Sequence, residues 1–177
     1  MHIPSLIPFL VLGSTAASVV KRQYDNDFSG SGNILVLSGK NIAKADTSDI
    51  SGCIADSGSL VTDLTKCGVF TLGDPQVSET FSSSARQCNF ADPTTVPGGY
   101  ALKCNSTMQK GGYWYSLDGY DPGPGLAFIW TGNLNPYYEA TSLPAVGEEA
   151  PIWPYLGGPD PPTDRMYFMW LWKKLSD

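Results

Sequence analysis

The stretch Cys53-Ile54-Ala55-Asp56-Ser57-Gly58-Ser59-Leu60-Val61 reads as a hairpin: apolar pairs at 53–54 and 60–61 flank the turn formers Asp56-Ser57-Gly58. It opens the segment 53–104, which holds all four cysteines, at positions 53, 67, 88 and 104. Four cysteines permit three pairings, and sequence does not choose among them. The favoured set is Cys53 with Cys67 and Cys88 with Cys104. Each pair brackets turn residues and closes a loop of about 15 residues, worth roughly 3 kcal/mol in the chain-entropy treatment.

Working outward, the pattern is one of short strands. Downstream of Cys67, Val69-Phe70-Thr71-Leu72 is followed by the breaker Gly73-Asp74-Pro75, then by an alternation of Val77, Glu79 and Phe81 with polar residues. Ser82-Ser83-Ser84 carries little information. Residues 92–99 are loop by composition. In Tyr100-Ala101-Leu102-Lys103-Cys104-Asn105, alternation puts Tyr100, Leu102 and Cys104 on one face.

Upstream, Ile34-Leu35-Val36-Leu37 has the length and apolarity of a strand buried on both faces. Gly30-Ser31-Gly32 is assigned to a loose polar arm before it. Gly39-Lys40-Asn41 turns the chain and residues 42–45 are expected to pair back. Asp46-Thr47-Ser48-Asp49 opens a turn or one short helix.

Towards the C-terminus, residues 113–117 and 126–131 form an aromatic hairpin around the acidic loop 118–125. Residues 132–164 are rich in Pro and Gly and read as one long loop. Tyr137, Tyr138, Trp153 and Tyr155 make that loop wrap the core rather than hang free. Met166 to Trp172 is apolar throughout and reads as a buried closing strand. The expected fold is mainly β: a single disulfide-stapled antiparallel sheet, sandwich or barrel domain with at most one short helix, covering residues 23–177.

Residues 1–18 carry the pattern of a secretory signal peptide, an apolar run over 3–12 followed by small residues. Lys21-Arg22 then ends a short propeptide, 19–22, at a dibasic site of the kind cut by Kex2-type proteases. Removing both basic residues takes Lys plus Arg from 11 to nine, against 17 acids, a formal charge of −8. Such a chain repels phosphate backbones and anionic membranes, so neither nucleic acid nor membrane insertion is expected. The only histidine, His2, departs with the leader. Ser-His-Asp, Cys-His and imidazole-dependent ribonuclease mechanisms go with it. No CxxC or histidine remains to build a zinc shell, and the glycines precede no Lys-Ser/Thr of a phosphate loop; no cofactor or metal is expected.

Two candidate sites remain. Tyr113, Trp114, Tyr115 and Trp130 can form a sugar-stacking platform with Asp118 and Asp121 beside it; the alternative puts Trp114 in the core, since neighbours on a strand face opposite sides. Paired carboxylates are the second: Asp118 with Asp121, or either with Glu139, Glu148 or Glu149, can serve as acid and base of a glycosidase. Calcium at Asp118 and Asp121, or at Asp46 and Asp49, is a lesser reading, because no stretch matches an EF-hand loop. Asn105-Ser106-Thr107 is an N-glycosylation sequon.

The combination of leader, Lys21-Arg22, four cysteines, acidity and one sequon resembles the small secreted cysteine-containing proteins of filamentous fungi, many of which are effectors or elicitors. A related group of fungal effectors keeps a secreted-ribonuclease fold without its catalytic residues, and a mature chain lacking histidine is similar in that respect. The resemblance implies a secreted, noncatalytic interaction protein acting on a host or competitor, with a host protein as partner. The second reading is a polysaccharide-binding protein or a carboxylate-dependent glycoside hydrolase acting on cell walls.

Overall fold

The computed structural model describes residues 30–72, 81–84, 86–95, 100–109, 114–117, 119–120, 122–131, 136–155 and 165–176. The leader, the dibasic site and the alternating stretch at 77–80 lie outside these residues.

Twelve strands are present among the described residues. They are β1 (Gly30–Ser38), β2 (Ile50–Ile54), β3 (Leu60–Val61), β4 (Phe70–Leu72), β5 (Phe81–Ser83) and β6 (Arg86–Asp92). The second half holds β7 (Ala101–Asn105), β8 (Tyr115–Ser116), β9 (Leu126–Trp130), β10 (Tyr138–Ala140), β11 (Trp153–Pro154) and β12 (Met166–Ser176). All pair antiparallel, in one sheet that curls into a half-barrel.

The first long strand and the last form the trunk. β1 and β12 run side by side from Ser31↔Ser176 to Ser38↔Phe168, with a bulge at Ser31/Gly32. Each then shares its other edge between two short strands. Residues 30–32 of β1 pair with β4, and residues 35–37 pair with β2. Residues 166–168 of β12 pair with β10, and residues 170–173 pair with β9. Four branches leave the trunk in this way: β2–β3, β4–β5–β6–β7, β9–β8 and β10–β11.

The trunk is buried on both sides, and the period of two in each strand sorts its residues into two cores. Ile34, Val36, Phe168, Trp170 and Trp172 join Phe70, Leu102, Ile129 and Tyr138 in the larger cluster, on the inside of the curl. Leu35, Leu37, Met169 and Leu171 join Cys53, Val61 and Phe128 in the second, on the opposite face. Ile42 closes that second cluster from a 3-10 turn, Ile42–Lys44. Inside the curl the rings lie nearly parallel. Tyr138 stacks on Trp170 at 3.7 Å between centroids and 7°, and Trp114 stacks on Trp170 at 5.7 Å and 6°.

The disulfides join Cys53 to Cys67 and Cys88 to Cys104. The first fastens the base of the β2–β3 hairpin. The second lies between directly opposed residues of β6 and β7.

Several expectations are corrected. Gly30-Ser31-Gly32 is not a loose arm but the start of β1, because β4 and β12 take up its backbone groups on both edges. Residues 42–45 do not pair back; their helical turn drops Ile42 onto the core instead. The mainly β expectation with at most one short helix holds in that no helix reaches seven residues; the helical segments among the described residues are three-residue 3-10 turns at Ile42–Lys44, Thr47–Asp49, Leu64–Lys66 and Pro93–Thr95. The second of these is the turn foreseen at Asp46, closed by a capping box with Asp49. Within the supposed long loop, β10 and β11 are strands, with Tyr138 and Trp153 buried. β6 had no alternation to announce it, and Tyr100 lies outside β7, 54% exposed.

Gly32 is required by the trunk. A methyl group there would lie 2.5 Å from the Trp172 ring and 2.7 Å from the Lys173 carbonyl oxygen, one a fully buried ring and the other backbone. Gly32→Ala is therefore expected to lower unfolding free energy by about 1–3 kcal/mol, the usual cost of overpacking, as read from urea titration; an unchanged midpoint would contradict this register.

Candidate functional site

The aromatic platform divides between core and surface. Trp114 is 1% exposed and stacked among Phe90 and Trp170 inside the curl, so it is a packing residue. Tyr115 and Trp130 are directly paired across β8 and β9 and half-buried, with ring centroids 6.2 Å apart and tilted by 56°. Their side of the sheet is set by alternation, since Ile129 fills the inner core and Phe128 the outer one. Tyr113, Asp118 and Asp121 lie outside the described residues. What remains of the platform is a single tilted pair.

Of the carboxylates proposed from sequence as an acid and base pair, only Glu139, Glu148 and Glu149 lie among the described residues. Glu139, in β10, is 9% exposed and bonded to the guanidinium of Arg165, which in turn stacks 4.9 Å from the Trp153 ring. A carboxylate so paired anchors β10 against the chain entering β12. Asp46 and Asp49 are committed to their capping box. Hydrogen bonds from the Ser48 backbone and side chain hold the Asp46 carboxyl below its ordinary value. For Asp92, burial pushes the carboxyl up, but the Thr94 hydroxyl and N–H, with Lys103 at 3.2 Å, bring it below its ordinary value. Among the described residues no group of three or more His, Cys, Asp or Glu side chains is placed to hold a metal ion.

Glu148 and Glu149 belong to a different site, one with no sequence motif. A groove of about 340 Å³ is lined by Ala55, Asp56, Ser57, Val61, Asp63, Lys66, Gly147, Glu148 and Glu149. Three segments make it: the β2–β3 turn, the residues after β3, and the turn at 147–149. Gly58, at φ +91°, closes the hairpin turn in a conformation that other residues resist. The Ser57 carbonyl then accepts from the Cys104 N–H of β7 at 2.8 Å. Asp56 is gripped from the end of β5 and the turn after it, where Ser83 Oγ donates to its carbonyl at 2.6 Å and Ser84 Oγ to its Oδ2 at 3.1 Å. Asp63 caps the 3-10 turn Leu64–Lys66, and the Thr65 hydroxyl and N–H hold its carboxyl below the ordinary value.

The 147–149 turn is docked by backbone. Leu60 and Ala150 exchange N–H···O bonds of 2.8 and 3.0 Å, and Thr62 Oγ1 donates to the Pro144 carbonyl at 3.3 Å. Ser57 Oγ donates to Glu149 Oε2 at 2.8 Å across the groove. Leu102 N–H donates to the Ile152 carbonyl at 2.9 Å, so the same segment also reaches β7. The result is four carboxylates against one ammonium on a concave surface whose walls are pinned to the sheet.

The sequon ends β7. Asn105 is half-exposed and Ser106 and Thr107 are exposed, and Asn105 Oδ1 accepts from the Thr107 N–H and hydroxyl at 2.9 and 2.8 Å. Sequence reasoning saw the groove's parts but not its assembly. The turn Asp56-Ser57-Gly58 was legible, whereas its contact with 147–149 depends on a pairing separated by 90 positions, Leu60↔Ala150. No family model, curated protein or solved structure matches this chain.

The two tryptophans give a direct check on the division between core and surface. Trp114→Ala is expected to cost about 3–5 kcal/mol, the range for removing a large buried aromatic ring. Trp130→Ala, at a half-buried position, is expected to cost less than half as much. Urea titrations of both variants test this, and equal losses would contradict it.

Proposed function

We propose that this chain is a secreted, noncatalytic interaction protein of the fungal effector or elicitor type, acting outside the cell on a host or competitor. Two intramolecular disulfides, and no free cysteine among the described residues, suit an oxidising compartment. Export by the leader, cleavage after Lys21-Arg22 and a glycan on Asn105 complete the reading.

The observation that carries it is how the carboxylates are used. A glycosidase needs one carboxyl group held protonated, with its pKa raised, facing a second across the scissile bond. Here Glu139 is tied to Arg165, while Asp46, Asp63 and Asp92 are shifted the other way by hydrogen bonds that stabilise the ionised form. Glu148 and Glu149 stand exposed on a turn, beside the exposed Val146. Exposed charge and apolar groups on a pinned concave surface suit contact with a partner. The half-buried pair Tyr115 and Trp130 favours a second reading, polysaccharide binding, since paired aromatic rings stack on pyranose faces.

Infiltration of the purified mature protein into leaf tissue, beside incubation with chitin, cellulose and glucan, tests the proposal. A tissue response with no sugar release is expected. Soluble sugar released by wild type and abolished by a single carboxylate-to-amide change would overturn it.

A further inference from the structure

The groove beside the stapled hairpin has a charge, a size and a rim that together specify a kind of partner. Four carboxylates, Asp56, Asp63, Glu148 and Glu149, face a single ammonium, Lys66, around a concavity of about 340 Å³. That volume sits at the low end of the roughly 300–1,000 Å³ found for small-molecule sites, which is room for one or two long side chains rather than an extended ligand. The rim is apolar. Leu64, between the lining residues Asp63 and Lys66, is 53% exposed, and Val146, next to Gly147, is 83% exposed. Both are among the exposed large hydrophobic side chains of the described residues, and each is next in sequence to a residue that lines the groove.

We infer that the groove docks a basic segment of a partner protein, with an arginine or lysine side chain in the acidic hollow and a neighbouring apolar side chain against Leu64 and Val146. This rests on the reading of the chain as an interaction protein and supplies the partner's chemistry.

Three features favour that occupant. The charge is complementary and locally concentrated, which raises encounter rates and rejects acidic segments. The acceptors are fixed in place before binding: Asp56 by Ser83 and Ser84, Asp63 by Thr65, and Glu149 by Ser57. Pre-ordered acceptors reduce the entropy lost on association. Finally, a guanidinium presents a planar fork of donors that matches carboxylate oxygens, and its stem covers apolar surface on the way in. Lys66 opposes the docked charge and so orients it towards the Glu148 and Glu149 side.

The test is fluorescence anisotropy of labelled ten-residue peptides with the intact secreted protein. One peptide alternates arginine with leucine, a second alternates glutamate with leucine, and chitosan serves as a cationic competitor that lacks peptide chemistry. Binding of the arginine peptide alone is expected, weakened at least tenfold between 50 and 300 mM salt, on the order expected when several surface charges meet. Glu148→Gln with Glu149→Gln should weaken it at least tenfold, Val146→Ser about threefold, and Lys66→Gln should tighten it; all four positions are exposed, and circular dichroism checks that each variant is folded. Equal binding of both peptides, indifference to these substitutions, or full displacement by chitosan at equal charge would overturn the proposal. A tissue response in the absence of peptide binding would overturn this partner while leaving the interaction-protein reading in place. Sugar release would strike that reading instead.

Discussion

The pairing of β1 with β12 is the constraint on which the rest of the structure depends. It joins the described chain's two ends, and all four branches attach to one or other of its two strands. Seven consecutive pairings, from Gly32↔Lys174 to Ser38↔Phe168, bring the Ile34-Leu35-Val36-Leu37 run against Phe168-Met169-Trp170-Leu171-Trp172. Both faces of that ladder are covered, one by the stacked rings of Trp114, Tyr138 and Phe90 and the other by Phe128, Cys53 and Val61. Burying a side chain of this size is worth about 1.5–3 kcal/mol each. A surface ion pair such as Lys103 with Asp92 contributes about 0–1 kcal/mol. The trunk therefore dominates, and a slip of one residue would exchange the two cores wholesale.

The branches are short, and several would be marginal alone. β3, β8 and β11 have two residues each. They persist because something outside the ladder holds them. A disulfide fastens β2–β3 at its base, and a second spans β6 and β7. Backbone bonds from Leu60 to Ala150, from Cys104 to Ser57 and from Leu102 to Ile152 stitch separate branches together. The acidic groove lies where these stitches converge. Lys66, Glu148 and Glu149 are exposed there, while Asp56 and Asp63 are partly buried, and backbone bonds pin the turns that carry them.

Much of the trunk was legible in the chain, for a physical reason. A four-residue apolar run at 34–37 and a longer one at 166–172 have no amphipathic period, and only burial on both faces accommodates them in strands. The hairpin at Asp56-Ser57-Gly58 was legible too, because turn residues are a local property, and the favoured cysteine pairing, one of three the sequence leaves open, is the one observed. What was hidden is non-local. Ser83, fully buried and bonded to the Asp56 carbonyl, looked like part of a featureless serine run. Glycines 30 and 32 looked like a flexible arm, when one of them makes room for Trp172. Trp114 had a platform reading and a core reading, and the core reading is the one observed; alternation alone does not say which side of a strand is wet. The groove had no signature at all, because its walls are distant in sequence.

Native-state hydrogen exchange read residue by residue tests the central claim most directly, since it ranks each element by the free energy needed to open it. The amides of residues 34–37 and 168–172 should exchange last, at the rate of global unfolding, with those of β6 and β7 opening earlier. Protection that persists in β6 and β7 after the β1 and β12 amides have exchanged would show that the disulfide-bonded branch, and not the trunk, holds the fold together.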